Sequence, residues 1–154
     1  MMNYQNTLTF WLSRLGQLMQ DDFNDILKDQ LGEKSISWPQ WLVLNHLGQQ
    51  SGAMPAEIAA GIMVDRSAVT RLLDRLEEKK FVTRKREGLD RRVVNIYLTK
   101  LGEELLEKIN IMALEHQARF LATIPSTEHR ILKTDIQKML KVLGIDTQQQ
   151  WKVL

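Results

Sequence analysis

Residues 65–102 decide the reading of this chain: DRSAVTRLLDRLEEKKFVTRKREGLDRRVVNIYLTKLG. Ala68, Val69, Leu72, Leu73 and Leu76 recur at the three-and-four spacing of one helical stripe. Arg66, Ser67, Thr70, Arg71, Asp74, Arg75 and Glu78 fall on the outer face. Asp65 stands where an N-cap belongs, so a helix is predicted over about 66–80. VTRKR (82–86) and VVNIYL (93–98) alternate as strands, with EGLDRR as the loop between them. Gly88 gives that loop backbone freedom. A short helix with a basic, hydroxyl-bearing face beside a basic β-loop has the shape to occupy one DNA groove and touch the next.

Upstream, Pro55 suits a first helical turn and opens a short helix over about 55–61. GIMVD, containing Gly61, is the turn that joins it to the basic helix, and the pair makes a helix-turn-helix. Ser37 and Gln40 have capping-box spacing, which starts a helix over about 38–50 with Trp41, Leu44 and Leu47 as its stripe. Leu8, Leu12, Leu15, Met19, Phe23, Ile26 and Leu27 predict a first helix over about 6–30. LGEKSIS and QQSGAM are turns. Downstream, Thr99 caps a long helix to about 123, Pro125 and Ser126 start a last one to about 143, and Gly144 ends it. The predicted fold is mainly α with a small β-hairpin: a winged helix-turn-helix with four helices before the hairpin and two after.

The 154 residues suit one compact domain. No stretch approaches the roughly 18 apolar residues of a membrane span, and no basic-then-apolar leader opens the chain, so the expected location is the cytoplasm. There are 0 cysteines, which removes thiol catalysis, thiol redox sensing and cysteine-ligated zinc. The net charge of +2 is unevenly distributed. Residues 1–63 hold 3 basic and 6 acidic side chains, residues 64–100 hold 11 and 6, and residues 101–154 hold 7 and 7. Positive charge thus concentrates on the helix and hairpin, as in a polyanion binder; a solvated charged face is the plain alternative.

The first turns of a groove-entering helix reach the bases, which places Ser67, Thr70 and Arg71 nearest base edges and Arg66 and Arg75 beside flanking phosphates. The competing reading is local pairing, Arg71 with Asp74 or Arg75 with Glu78. At the hairpin tip, Arg91 and Arg92 suit a narrow minor groove. Asp90 does not favour phosphate; it either stiffens the wing, by pairing with an arginine or accepting loop N–H bonds, or is a simple turn residue.

The run Asp90-Arg91-Arg92-Val93-Val94-Asn95-Ile96-Tyr97-Leu98-Thr99-Lys100-Leu101-Gly102 resembles the D-x-R…L-T-x-x-G signature of the MarR family of bacterial transcriptional regulators. Ser37-Trp38-Pro39-Gln40-Trp41 resembles the family's second-helix start. Glu57-Ile58-Ala59 followed by Asp65-Arg66-Ser67-Ala68-Val69-Thr70-Arg71 resembles its helix-turn-helix. Met54-Pro55 departs from the Ser or Thr cap of many relatives. The resemblance spans essentially the whole chain, 1–154, as one domain. It implies a DNA-reading lobe over about 37–98 and dimerisation helices over about 6–30 and 99–143. The fifth helix supports a homodimer on its own account: Leu101, Leu105, Ile109 and Met112 line one side, and Leu106, Ala113, Leu121 and Ile124 another. A two-fold dimer implies a pseudo-palindromic operator.

The resemblance further implies a repressor released by a small aromatic or anionic effector, with Trp11, Arg14, Trp41 and His46 in the matching region. Arg14 is the only cation in the first 27 residues. A surface arginine and ordinary core tryptophans are the plain alternative. His46, His116 and His129 are well separated in sequence, so no metal or cofactor is expected, and buried hydrogen-bonded histidines are the simpler reading. A winged-helix protein-interaction module without DNA binding is the alternative function; it needs an acidic or apolar face where Arg66, Arg71 and Arg75 stand. No nucleophile–base pair or phosphate loop is visible, so no enzyme is expected.

Overall fold

The computed structural model describes residues 3–86, 93–145 and 147. A 3₁₀ turn, Tyr4–Asn6, precedes α1 (Leu8–Leu31), and a second, Gly32–Lys34, precedes α2 (Trp38–Gln49). There follow α3 (Pro55–Gly61), α4 (Arg66–Glu78), β1 (Val82–Arg86), β2 (Val94–Leu98), α5 (Lys100–Leu121) and α6 (Ser126–Val142). The chain divides into two compact units, residues 1–113 and 114–154. No described helix is long and apolar enough to cross a membrane.

The first unit is built around one apolar core. Phe23 and Leu27 of α1, Val43 and Leu44 of α2, Ile58 of α3, Leu73 and Leu76 of α4, Ile96 of β2 and Ile109 of α5 are all fully buried. Each such side chain contributes about 1.5–3 kcal/mol on burial. The rings of Phe23, Trp38 and Trp41 meet at 4.8–5.8 Å and pin α1 to α2. Asn24 Oδ1 accepts the Trp38 N–H at 2.7 Å, and Trp41 Nε1 donates to Asn110 Oδ1 at 2.9 Å, tying α2 to α1 and α5.

Helix starts follow their caps. The predicted first helix begins two residues late, because Thr7 is extended and its hydroxyl accepts the Phe10 N–H at 3.3 Å. The Ser37 N–H donates to Gln40 Oε1 at 2.8 Å, the return bond of a capping box. Met54 has no hydroxyl, yet its N–H donates to Glu57 Oε2 at 2.7 Å, so α3 starts at Pro55. Asp65 holds the N-cap position of α4 but makes no side-chain capping bond.

Two helix ends use residues the sequence did not flag. At the end of α3, Val64 N–H donates to Ala59 O at 3.0 Å and Met63 N–H to Ala60 O at 3.3 Å. At the end of α4, Phe81 N–H donates to Leu76 O at 2.9 Å and Lys80 N–H to Glu77 O at 2.8 Å. Both are Schellman closures whose left-handed residue is normally glycine. Here they are Met63 (φ 55°) and Lys80 (φ 62°). Gly61 serves close packing instead: a Cβ there would fall 2.3 Å from His46 Cε1.

β1 and β2 pair antiparallel from Val82↔Leu98 to Arg86↔Val94. Ala53, in the turn before α3, adds an isolated bridge to Ile96. The hairpin joins α5 through a tight corner. Thr99 N–H donates to Phe81 O at 3.0 Å, and Thr99 Oγ1 donates to Lys80 O at 2.6 Å while accepting the Gly102 N–H at 3.1 Å.

The second unit holds the end of α5 and α6. His129 Nε2 lies 2.9 Å from Leu121 O and 3.2 Å from Ile124 O. Carbonyls only accept, so Nε2 carries the proton. Gly144 (φ 75°) closes α6 as its position in the sequence predicts.

Candidate nucleic-acid interface

The α4 stripe assignment holds on the outer face, while on the inner face Ala68 and Leu72 are only half-buried. Val69, Leu73 and Leu76 are buried, while Arg66, Ser67, Thr70, Arg71, Asp74, Arg75 and Glu78 are exposed. Thr70 Oγ1 donates to Arg66 O at 3.1 Å, which occupies its hydrogen and leaves oxygen lone pairs free. The anticipated local pairs do not form. Asp74 and Glu77 instead receive Arg84 of β1, at 2.6 and 2.9 Å. Among the described residues, Arg66, Arg71 and Arg75 enter no ion pair.

Not every cation of the basic segment faces outward for a partner. Lys79 Nζ donates to Glu33 O and Ser35 O, anchoring the end of α4 to the α1–α2 connection. Lys85 Nζ sits 4.9 Å from the centre of the Tyr97 ring. Arg84, Lys79 and Lys85 are thus engaged within the fold, which raw charge counting does not reveal. Arg84 was legible in principle. Side chains alternate along a strand, so Arg84 shares a side with buried Val82, the side that packs on α4.

Asp90, Arg91 and Arg92, together with Gly88, lie outside the described residues. The ladder reaches Arg86↔Val94, which fixes where the hairpin loop departs.

The four candidate effector residues occupy different surroundings. Trp11 is 58% exposed, its indole N–H donating to Gln5 O at 2.8 Å, and Arg14 is exposed. Trp11 precedes Phe23, the α1 residue that touches Trp41, by about 18 Å of helix. Trp41 is half-buried and bonded to Asn110. His46 packs against Gly61, and its Nε2 is buried without a partner. Burial holds the His46 imidazole below its ordinary value, with nearby Glu57 opposing. His116 is buried and packs edge-on against Phe120, with ring centres 5.0 Å apart. Among the described residues, no group of three or more His, Asp or Glu is placed to hold a metal ion.

A helix-turn-helix with an arginine-bearing second helix and an adjoining hairpin defines a winged-helix DNA-binding regulator. Known proteins agree. The MarR family profile matches residues 36–94. The organic hydroperoxide resistance transcriptional regulator of Bacillus subtilis is 30% identical over 143 residues, 89% of this chain and 95% of that one. The HTH-type transcriptional repressor MdtR of the same species is 27% identical over 124 residues, 80% of each chain. The Staphylococcus aureus MepR–DNA complex matches with a TM-score of 0.80 and 26% identity, covering 89% of this chain and 98% of that one. The chain belongs to the MarR family and is a DNA-binding transcriptional regulator; its relatives are regulators, not enzymes.

Proposed function

We propose that this protein is a homodimeric, ligand-responsive repressor that binds a pseudo-palindromic operator. The observation that carries the DNA-reading part is the outer face of α4. Its acidic neighbours Asp74 and Glu77 are both held by the single guanidinium of Arg84 from β1, which offsets one of their two charges, while Arg66, Arg71 and Arg75 are left uncommitted among the described residues. Ser67, Thr70 and Arg71 read base edges, and Arg66 and Arg75 take flanking phosphates. Arg91 and Arg92, outside the described residues, are the candidates for a minor-groove contact, and Asp90 is the candidate for a structural role beside them.

The lobe over about 37–98 serves DNA, and the helices over about 6–30 and 99–143 serve dimerisation. Exposed apolar side chains on each of those helices support this: Leu8 at 61% on α1, Leu114 at 54% on α5 and Ile131 at 57% on α6. The repressor reading is supported by the likeness to MdtR. Trp11, Arg14, Trp41 and His46 are the effector candidates. The effector class proposed for them is a small aromatic or anionic molecule.

Selection from a random duplex pool is expected to return two related half-sites about 10 bp apart, centre to centre. Affinity for that sequence is expected to fall by orders of magnitude between about 50 and 200 mM salt. A pool that emerges without enrichment sinks the reading.

A further inference from the structure

Arg84 makes no part of the α4 outer face, yet it joins the two elements that would meet DNA. It lies on β1, and its guanidinium reaches across to α4. Nη2 donates to Asp74 Oδ1 at 2.6 Å and Nη1 to Glu77 Oε2 at 2.9 Å. The two carboxylates are three residues apart and share one face of the helix. A planar fork that grips two points along a helix fixes angle as well as distance, which a single ammonium does not.

The clamp also changes the electrostatics of the face. Asp74 and Glu77 flank the arginines that point outward, and left bare they would repel phosphate. A guanidinium held by two carboxylates is in turn a poor phosphate ligand.

We propose that Arg84 is a positioning residue for DNA recognition. It locks the wing hairpin against α4, so that helix and wing approach the duplex as one preset unit, without contacting DNA itself. The inference rests on the reading of α4 and the wing given above. Its physical consequence falls on selectivity. A hairpin free to swing still finds phosphates on any sequence, whereas simultaneous engagement of one groove by α4 and its neighbour by the wing requires fixed geometry.

The test uses the full chain and begins without DNA. Arg84→Gln is expected to speed amide exchange across β1 and β2 by about tenfold while the core amides of α2 and α5 stay protected, which also shows that the variant folds. Unchanged exchange in the hairpin overturns the proposal whatever the DNA result. Binding is then measured on the selected operator and on a scrambled duplex. If the wild-type protein does not discriminate between them, the functional reading fails, and the exchange result still judges the clamp.

With discrimination established, Arg84→Gln is expected to lower the operator-to-scrambled affinity ratio about tenfold with the salt slope unchanged. A slope smaller by about 0.9 per protomer marks a direct phosphate contact and overturns the proposal. Asp74→Asn with Glu77→Gln gives the sharpest contrast. Removing two negative charges strengthens binding to scrambled DNA, but the ratio is expected to fall because the clamp is gone. A ratio that holds reduces Arg84 to charge balance alone and overturns the positioning role. Arg84→Lys, which keeps the charge and loses the fork, is expected to fall between wild type and Arg84→Gln.

Discussion

At the scale of single residues, His46 and Gly61 form one packing unit between α2 and α3. The imidazole lies where a Cβ at position 61 would be, and burial holds its pKa below the ordinary 6.5, with Glu57 acting in the opposite direction. The unfolded chain therefore binds a proton at a higher pH than the folded protein does. Well above pH 6.5 neither state is protonated and His46 adds no pH dependence. As pH falls from there through the folded value, unfolding takes up a proton and stability declines. The urea midpoint is expected to drop between about pH 7 and pH 5, and to drop less steeply in His46→Gln. Parallel slopes for the two proteins would show that another group titrates. The sequence placed His46 among ligand candidates and Gly61 in a turn, and neither position announces their mutual contact. Packing between residues fifteen apart has no local signature, whereas the left-handed turn residue is Met63, whose side chain gives no hint of a positive φ.

At the scale of elements, most starts were legible and several ends were not. Helix starts are local events: Ser37 with Gln40, Met54 with Glu57 and Thr99 with Gly102 each solve an orphan-donor problem within one turn. The end of α4 is set by a lysine in a left-handed conformation and by the burial of Phe81 against the core, which is a tertiary fact. The Ala53–Ile96 bridge is equally silent in sequence, since two or three residues carry no periodicity. The corner between α4, β1 and α5 explains why Leu98-Thr99-Lys100-Leu101-Gly102 reads as a unit. Thr99 is bonded to Lys80 and Phe81, and a Cβ at position 102 would fall 2.0 Å from the Phe81 carbonyl oxygen. That oxygen belongs to the backbone and accepts the Thr99 N–H, so it cannot yield without breaking the corner. Gly102→Ala is expected to destabilise the protein by about 2–3 kcal/mol, the cost of overpacking a rigid site, read as a lower urea midpoint. A change under about 0.5 kcal/mol, the range of ordinary surface substitutions, would mean that α5 is free to shift away from the hairpin.

At the scale of the whole molecule, the charge count of residues 64–100 overstates the cations that the fold leaves uncommitted. Of the cations there, Lys79 caps carbonyls, Arg84 pairs with Asp74 and Glu77, and Lys85 lies over Tyr97, so fewer are left for a partner than the charge count implies. The apolar surplus of α5 lies elsewhere than on the two stripes read from the sequence, because Leu105, Leu106 and Ile109 share one core and Met112 and Ala113 pack against it. Leu105 and Ile109 are buried within the first unit, while Ile111 and Leu114 remain 60% and 54% exposed on the same helix. Leu114→Glu separates the two assemblies. In a monomer the side chain stays in water, and the change is worth no more than about 0.5 kcal/mol. In a two-fold dimer each substitution occurs twice, and a carboxylate taken out of water without a partner costs several kcal/mol. Sedimentation is expected to shift from dimer to monomer, and the unfolding midpoint to lose its dependence on protein concentration. Operator affinity should then fall by about 10²-fold or more, because two recognition helices are no longer held on one molecule, while binding to scrambled DNA weakens less. A variant that still sediments as a dimer and binds its operator normally would place the interface elsewhere than around Leu114.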